Sequence, residues 1–255
     1  MADLTILLHG FMGTGADLQP LMDHLPGPTR ALDLPGHGDA ADLLPDNQPA
    51  NLAWMAGHVE ERIRLLSKRP VHLVGYSMGG RIALYLALQS PKLLRSLTLI
   101  AASPGISDDN ERLKRRAADA RRAHHITADF QVFLEHWYEL PIFGDLRHHP
   151  QFDALIERRL AQSPPAMARV IQDMSPGAQP DLWPRLSELK VPHQWIAGKN
   201  DPKYASLIPR AAQLSGGPYH LIDDAAHSVH IEHPKACGEP VSGLASEKGI
   251  STDSP

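Results

Sequence analysis

Ser77 lies in Gly75-Tyr-Ser-Met-Gly79, between an apolar run, Val71 to Val74, and a helical pattern that begins at Arg81. A serine hydroxyl is a weak nucleophile or base alone. It needs an imidazole within hydrogen-bond reach and a carboxylate that holds the imidazole in the useful tautomer. The late chain carries both: Asp201 follows the apolar run His193 to Ala197, and His227 follows Tyr219 to Ile222. Asp223 and Asp224 are alternative carboxylates, and an Asx turn before Pro202 is an alternative use of Asp201. Gly75 and Gly79 suit a strained strand-to-helix turn that lifts Ser77 Oγ above a sheet edge. Negative charge growing on a reacting oxygen needs fixed donors, and the backbone N–H groups of Phe11 and Met78 are placed to supply them. Met78 also opens a helix, whose dipole favours an anion.

Arginine usage adds a second chemistry. Arg81 stands one helical turn after Ser77 on the same side. Arg112, Arg115 and Arg116 share a face of a later helix, in a basic stretch whose only acid is Asp119, and Arg158 and Arg159 follow. Arg116, Arg121 and Arg122 read as a solvated face. A guanidinium close to the serine needs an anionic partner to recover its lost hydration, which a carboxylate-bearing substrate would supply. Of the 15 histidines, His24, His58, His124, His125, His148 and His149 read as solvated, and His9 as shaping a turn. His227, His230 and His233 do not complete a zinc pattern. The sequence carries no metal, nucleotide or flavin motif, so no cofactor is expected.

These residues must be positioned by alternating elements. Strands are expected at Leu4 to Leu8, Thr29 to Leu34, Val71 to Val74, Ser96 to Ala101, His193 to Ala197 and Tyr219 to Ile222. Intervening helices at Ala16 to Leu25, Leu52 to Leu66, Arg81 to Leu88 and Ala205 to Leu214 argue for a mostly parallel sheet covered on both faces. From 105 to 185 the pattern is helical only, with helices at Asn110 to His124, Ala128 to Tyr138, Gln151 to Ala161 and Pro165 to Met174. This segment reads as a cap inserted between two strands of a core formed by 1–104 and 186–234. Residues 235–255 show neither periodicity nor a sizeable apolar face and read as a mobile tail. The chain has 255 residues, 42% of them hydrophobic, one cysteine and a net charge of −4. It therefore suits one large domain with an insertion and no disulfide framework. No global basic field points to nucleic acid. No apolar run is long enough for membrane insertion and no secretory signal opens the sequence, so a cytoplasmic location is expected. Oligomeric state has no sequence signal.

The order Ser77, Asp201, His227, each after its own strand, is that of an α/β-hydrolase sheet. Further motifs are His9-Gly-Phe-Met-Gly13, Asp33-Leu-Pro-Gly-His-Gly38, Gly75-Tyr-Ser-Met-Gly-Gly-Arg81, Ser103-Pro-Gly-Ile106, Glu111-Arg-Leu-Lys-Arg115, Trp137-Tyr-Glu-Leu-Pro-Ile-Phe143, Gln179-Pro-Asp-Leu182 and Ala197-Gly-Lys-Asn-Asp201. Together they resemble the menaquinone-pathway family that makes 2-succinyl-6-hydroxy-2,4-cyclohexadiene-1-carboxylate. The resemblance runs from Leu7 to Pro234 and implies an α/β-hydrolase fold with a helical cap. It also implies a lyase that removes pyruvate from a small tricarboxylate. Ser77 would then be the base, activated by His227 and oriented by Asp201. Tyr76, Arg81, Arg115, Trp137 and Arg159 would hold the substrate, with Arg158 the alternative to Arg159. Two departures stand out: strands found before His9 in larger relatives are missing or very short, and the sequence after Pro234 lacks the apolar final helix expected to cover the sheet, so that either apolar surface is left exposed or poorly patterned residues fill the role. A serine hydrolase working through an acyl-enzyme on an ester, thioester or carbon–carbon substrate is the competing enzyme reading, and a non-catalytic ligand-binding relative the other.

Overall fold

The computed structural model describes residues 3–246. Six strands, β1 (Thr5–Leu8), β2 (Thr29–Leu32), β3 (Val71–Tyr76), β4 (Leu94–Ile100), β5 (His193–Gly198) and β6 (Tyr219–Ile222), form one sheet in the order β2-β1-β3-β4-β5-β6. All pairings are parallel. A parallel sheet buries both faces, so its central strands read as continuous apolar runs, as Thr5-Ile-Leu-Leu8 and Val71-His-Leu-Val74 do. Between β1 and β3 the strand order reverses, and the crevice beyond their carboxyl ends is where such sheets hold ligands. The loop from His9 and the turn at Ser77 both open there.

The helices are α1 (Gln19–Met22), α2 (Leu52–Leu66), α3 (Met78–Gln89), α4 (Asp109–Ala128), α5 (Phe130–Trp137), α6 (Phe152–Leu160), α7 (Pro164–Asp173), α8 (Tyr204–Ser215), α9 (Val229–Glu232) and α10 (Pro234–Ser246). Side chains at their starts fix several of them: Asn51 accepts from Trp54 N–H, Asp108 from Glu111 N–H and Asp129 from Val132 N–H. Each such cap satisfies one of the donors a helix start leaves open. Helices α4 to α7 lie between β4 and β5 and bury their own apolar cluster of Phe130, Phe133, Leu134, Phe143, Leu155 and Met167. Met12 and Ile231, from outside that segment, complete the cluster and join it to the sheet layer. Among the described residues no helix is long and apolar enough to cross a membrane.

The mobile-tail expectation is corrected over 235–246, which forms α10; residues 247–255 lie outside the described residues. Gly238, Pro240 and Gly243 make this segment a poor helix former in isolation, so local propensity misleads. Tertiary packing decides instead. Cys237 and Val241 are buried one turn apart, and small residues let the helix approach α1 closely, a Cβ on Gly238 standing 3.0 Å from His24 Cβ. Gln194 on β5 donates to the Pro240 carbonyl at 2.9 Å. Of the two alternatives for this segment, poorly patterned residues fill the role: a helix with a narrow apolar stripe covers the sheet.

Close backbone approach sets the turn after β3. A Cβ on Gly79 would stand 2.5 Å from the Leu8 carbonyl oxygen and 2.6 Å from that of His9, and one on Gly75 would stand 2.6 Å from Gly80 Cα. Backbone cannot retreat like a flexible side chain. Gly79→Ala is expected to lower stability by about 1–3 kcal/mol, measured by chemical denaturation, because α3 must move off β1.

Candidate active site

Ser77 ends β3 and precedes α3 with φ 51° and ψ −108°. That left-handed backbone is unusual for a residue with a Cβ, and is held here by the packed glycines on each side. It aims Oγ at His227 Nε2, 3.0 Å away. The other ring nitrogen, Nδ1, lies 2.8 Å from Asp201 Oδ2. Asp201 is fully buried, and its second oxygen accepts the N–H groups of Lys203 and Tyr204 at 2.9 Å each. Those two bonds fix the carboxylate, which selects the Nδ1–H tautomer and leaves Nε2 to accept the serine proton. Asp223 pairs instead with Lys199 at the surface.

The loop after β1 is stapled by two neutral histidines. His9 Nε2 accepts Leu34 N–H at 2.9 Å while Nδ1–H donates to the Gly10 carbonyl at 2.7 Å. His37 Nε2 accepts Met12 N–H at 3.2 Å. Burial holds both rings below the usual imidazole range, more strongly for His37. Between these anchors, no acceptor among the described residues engages the Phe11 or Met78 N–H. Both residues face the cavity beside Ser77. Two such donors suit an oxygen acquiring negative charge.

A cavity of about 280 Å³ opens between the sheet edge and helices α4 to α7. Its wall includes Tyr76, Arg81, Arg115, Trp137 and Arg159, so the residues named for the substrate are brought together. Arg159, not Arg158, lines it. Arg159 is 5% exposed, meets Asp17 at 2.6 Å and donates to the Tyr138 hydroxyl at 3.0 Å. Burial opposes the Arg159 charge, but Tyr138 and Asp17 outweigh it and raise its pKa. Asp17 also takes Arg158 at 2.7 Å. Burial pushes the Asp17 carboxyl up, yet Arg159 and its other partners hold it below its ordinary value. Arg81 differs: it is 7% exposed, donates to the Met174 carbonyl and Gln179 Oε1 at 2.8 Å each, and has no carboxylate partner among the described residues. Burial draws its pKa down to about 10.

Sequence reasoning missed several wall residues. Arg122, expected to be solvated, lines the cavity, lies over the Trp137 ring at 5.7 Å and pairs with Asp119 at 2.7 Å. Asp119 is fully buried and also holds Arg115 at 2.8 Å and Ser175 Oγ at 2.7 Å. Its signal was available: one acid four residues after Arg115 and three before Arg122 shares their helix face. Asp17, Tyr138, Lys203 and Tyr204 had no comparable signal. Arg112 donates to the Gly177 and Gln179 carbonyls, whereas Arg116 and Arg121 are exposed as expected. Among the described residues no three metal-ligating side chains converge; His233 reaches the Asp224 carbonyl instead. Asp119→Asn is expected to raise KM about tenfold with kcat within about threefold, because Arg115 and Arg122 lose their common anchor. Denaturation of the same variant should show a loss of about 1–3 kcal/mol.

A strained serine at a β3–α3 turn, a late-chain acid and base, and a parallel sheet of this order define an α/β hydrolase; the alpha/beta hydrolase family pattern matches residues 5–239. Within that class, the 2-succinyl-6-hydroxy-2,4-cyclohexadiene-1-carboxylate synthase of Citrobacter koseri is 32% identical over 90% of this chain and 88% of its own length. This chain belongs to that synthase family. The synthase of Serratia proteamaculans is 31% identical over 91% of this chain and 88% of its own. MenH from S. aureus superposes with a TM-score of 0.88 at 30% identity, covering 95% of this chain and 92% of that one. Protein PHYLLO of Arabidopsis thaliana is 30% identical over 91% of this chain, which spans 14% of that protein's length.

Proposed function

We propose that this protein is a carbon–oxygen lyase of menaquinone biosynthesis. It eliminates pyruvate from 2-succinyl-5-enolpyruvyl-6-hydroxy-3-cyclohexene-1-carboxylate to give 2-succinyl-6-hydroxy-2,4-cyclohexadiene-1-carboxylate. The observation that carries this reading is charge. Around Ser77 the wall sets five cations, Arg81, Arg115, Arg122, Arg159 and Lys203, against two carboxylates, Asp17 and Asp119. That leaves three positive charges, and the substrate carries three carboxylates. A neutral ester would leave Arg81, which has no carboxylate partner among the described residues, desolvated without a counter-charge, at a cost in binding free energy.

In this mechanism His227 draws the proton from Ser77 Oγ as the serine oxygen takes the ring proton beside the succinyl carbonyl. The C–H electron pair forms a new ring double bond, the existing one shifts along the ring, and the bond from ring carbon to enolpyruvyl oxygen breaks. The departing pyruvate enolate gains a proton at carbon, balancing the one taken from the ring, and no water is consumed. Phe11 and Met78 N–H groups would receive the charge that develops on the carbonyl oxygen. Arg81, Arg115 and Arg159 would hold carboxylates, with Tyr76 and Trp137 walling the ring, and 105–185 would act as the cap that excludes water. The chain would work in the cytoplasm on a small soluble substrate.

The test is pyruvate release from the enolpyruvyl-cyclohexene substrate, with an activated ester assayed beside it. Rapid release with weak ester cleavage is the expected result. Ester cleavage without pyruvate release would replace the lyase with the acyl-enzyme hydrolase.

A further inference from the structure

Beyond Ser77, His227 and Asp201, one ionisable ring on the cavity wall has no role in the elimination as written. His230, on the short helix α9, is 1% exposed and lines the same cavity as Ser77. Its ring centroid lies 4.0 Å from that of Tyr76. Of its two nitrogens, Nδ1 is sealed in the protein without a hydrogen-bond partner. A buried donor left unmade is rarer and costlier than a buried lone pair left unmade. The proton of the neutral ring therefore sits on Nε2, and Nε2 is the nitrogen left to meet a ligand. Burial takes the His230 pKa down to about 3; Asp17 pulls the other way, while His227 and Arg159 add to the fall. The ring is neutral at physiological pH.

We infer that His230 is a further substrate-contacting residue, whose Nε2–H donates a hydrogen bond to an oxygen of the bound substrate. The identity of that substrate rests on the lyase reading. A neutral donor selects differently from the arginines around it. A guanidinium favours a carboxylate, whereas an uncharged N–H serves a hydroxyl or ketone oxygen without adding to the cationic charge of the wall. Neighbouring groups are already committed: the Tyr76 hydroxyl meets Ser228 Oγ at 3.3 Å, and both nitrogens of His227 are used by Ser77 and Asp201. His230 thus gives the cavity that holds the reacting serine an uncharged donor.

Three variants separate a donor from a packing role. His230→Gln places an amide N–H near the position of Nε2, His230→Asn near that of Nδ1, and His230→Phe keeps an aromatic ring alone. Kinetics of pyruvate release are expected to leave His230→Gln within about threefold of wild type in kcat/KM. His230→Asn and His230→Phe should fall about 10- to 100-fold, the range for leaving a buried substrate oxygen without its donor. Equal activity in all three, or equal loss in all three, overturns the assignment. Nitrogen-15 NMR of labelled histidine in the wild-type protein supplies an independent reading, with the Nε2–H tautomer expected and an Nδ1–H tautomer overturning it. A wild-type enzyme that releases no pyruvate would remove the lyase reading while leaving that tautomer measurement intact.

Discussion

Ser77→Ala is expected to reduce pyruvate release about a thousandfold or more, equivalent to about 4 kcal/mol of transition-state stabilisation, with substrate affinity within about threefold of wild type. The split follows from what the hydroxyl touches. Oγ is 3.0 Å from His227 Nε2, while the cationic wall lies on other elements and does not depend on it. Alanine adopts the same strained backbone and removes one oxygen, so α3 and the Met78 N–H stay in place. Calorimetric titration with the substrate gives affinity, and stopped-flow detection of pyruvate gives turnover. Turnover within tenfold of wild type would show that His227 takes the ring proton without the serine, and the base assignment would fall. Loss of affinity in step with turnover would mean that Ser77 binds substrate more than it moves a proton.

The site was legible where its residues answer to local rules. Ser77, Asp201 and His227 each follow an apolar run, and a parallel sheet delivers such positions to one edge, so their meeting followed from strand order alone. Phe11 and Met78 followed from the same loops. What was hidden depends on pairs distant in sequence. Asp17 meets Arg159 across more than half the chain, and nothing in Gly15-Ala-Asp17 announces a buried carboxylate. Arg122 was misread because a basic helix face looks solvated until Trp137 and Asp119 are known to lie against it. Helix α10 was misread for the opposite reason: its glycines and prolines disfavour a helix locally, while the apolar sheet face supplies the packing that stabilises one.

Arg81 carries the second large expected effect, and it separates binding from folding. Arg81→Met should weaken transition-state stabilisation by about 2–5 kcal/mol, seen as a loss in kcat/KM, because a desolvated carboxylate of the substrate loses its charged partner. Folding stability should change by no more than about 2 kcal/mol, as two opposing effects offset. Burial holds the Arg81 pKa down at about 10, so the charged side chain destabilises the empty protein by roughly 3 kcal/mol at neutral pH. That penalty is fully present below pH 10 and fades as pH rises through and beyond it, since the unfolded chain holds the proton more tightly. Methionine removes the charge and keeps most of the volume, but leaves the Met174 carbonyl and Gln179 Oε1 without their donor, at about 1–3 kcal/mol. Arg159→Met makes the contrast, because it breaks a buried pair with Asp17 and should cost about 3 kcal/mol of stability as well as activity. Denaturation curves and kcat/KM for the two variants distinguish the cases. If Arg81→Met unfolds as readily as Arg159→Met, then Arg81 is held by partners in the empty protein, and the argument that it waits for a substrate carboxylate fails.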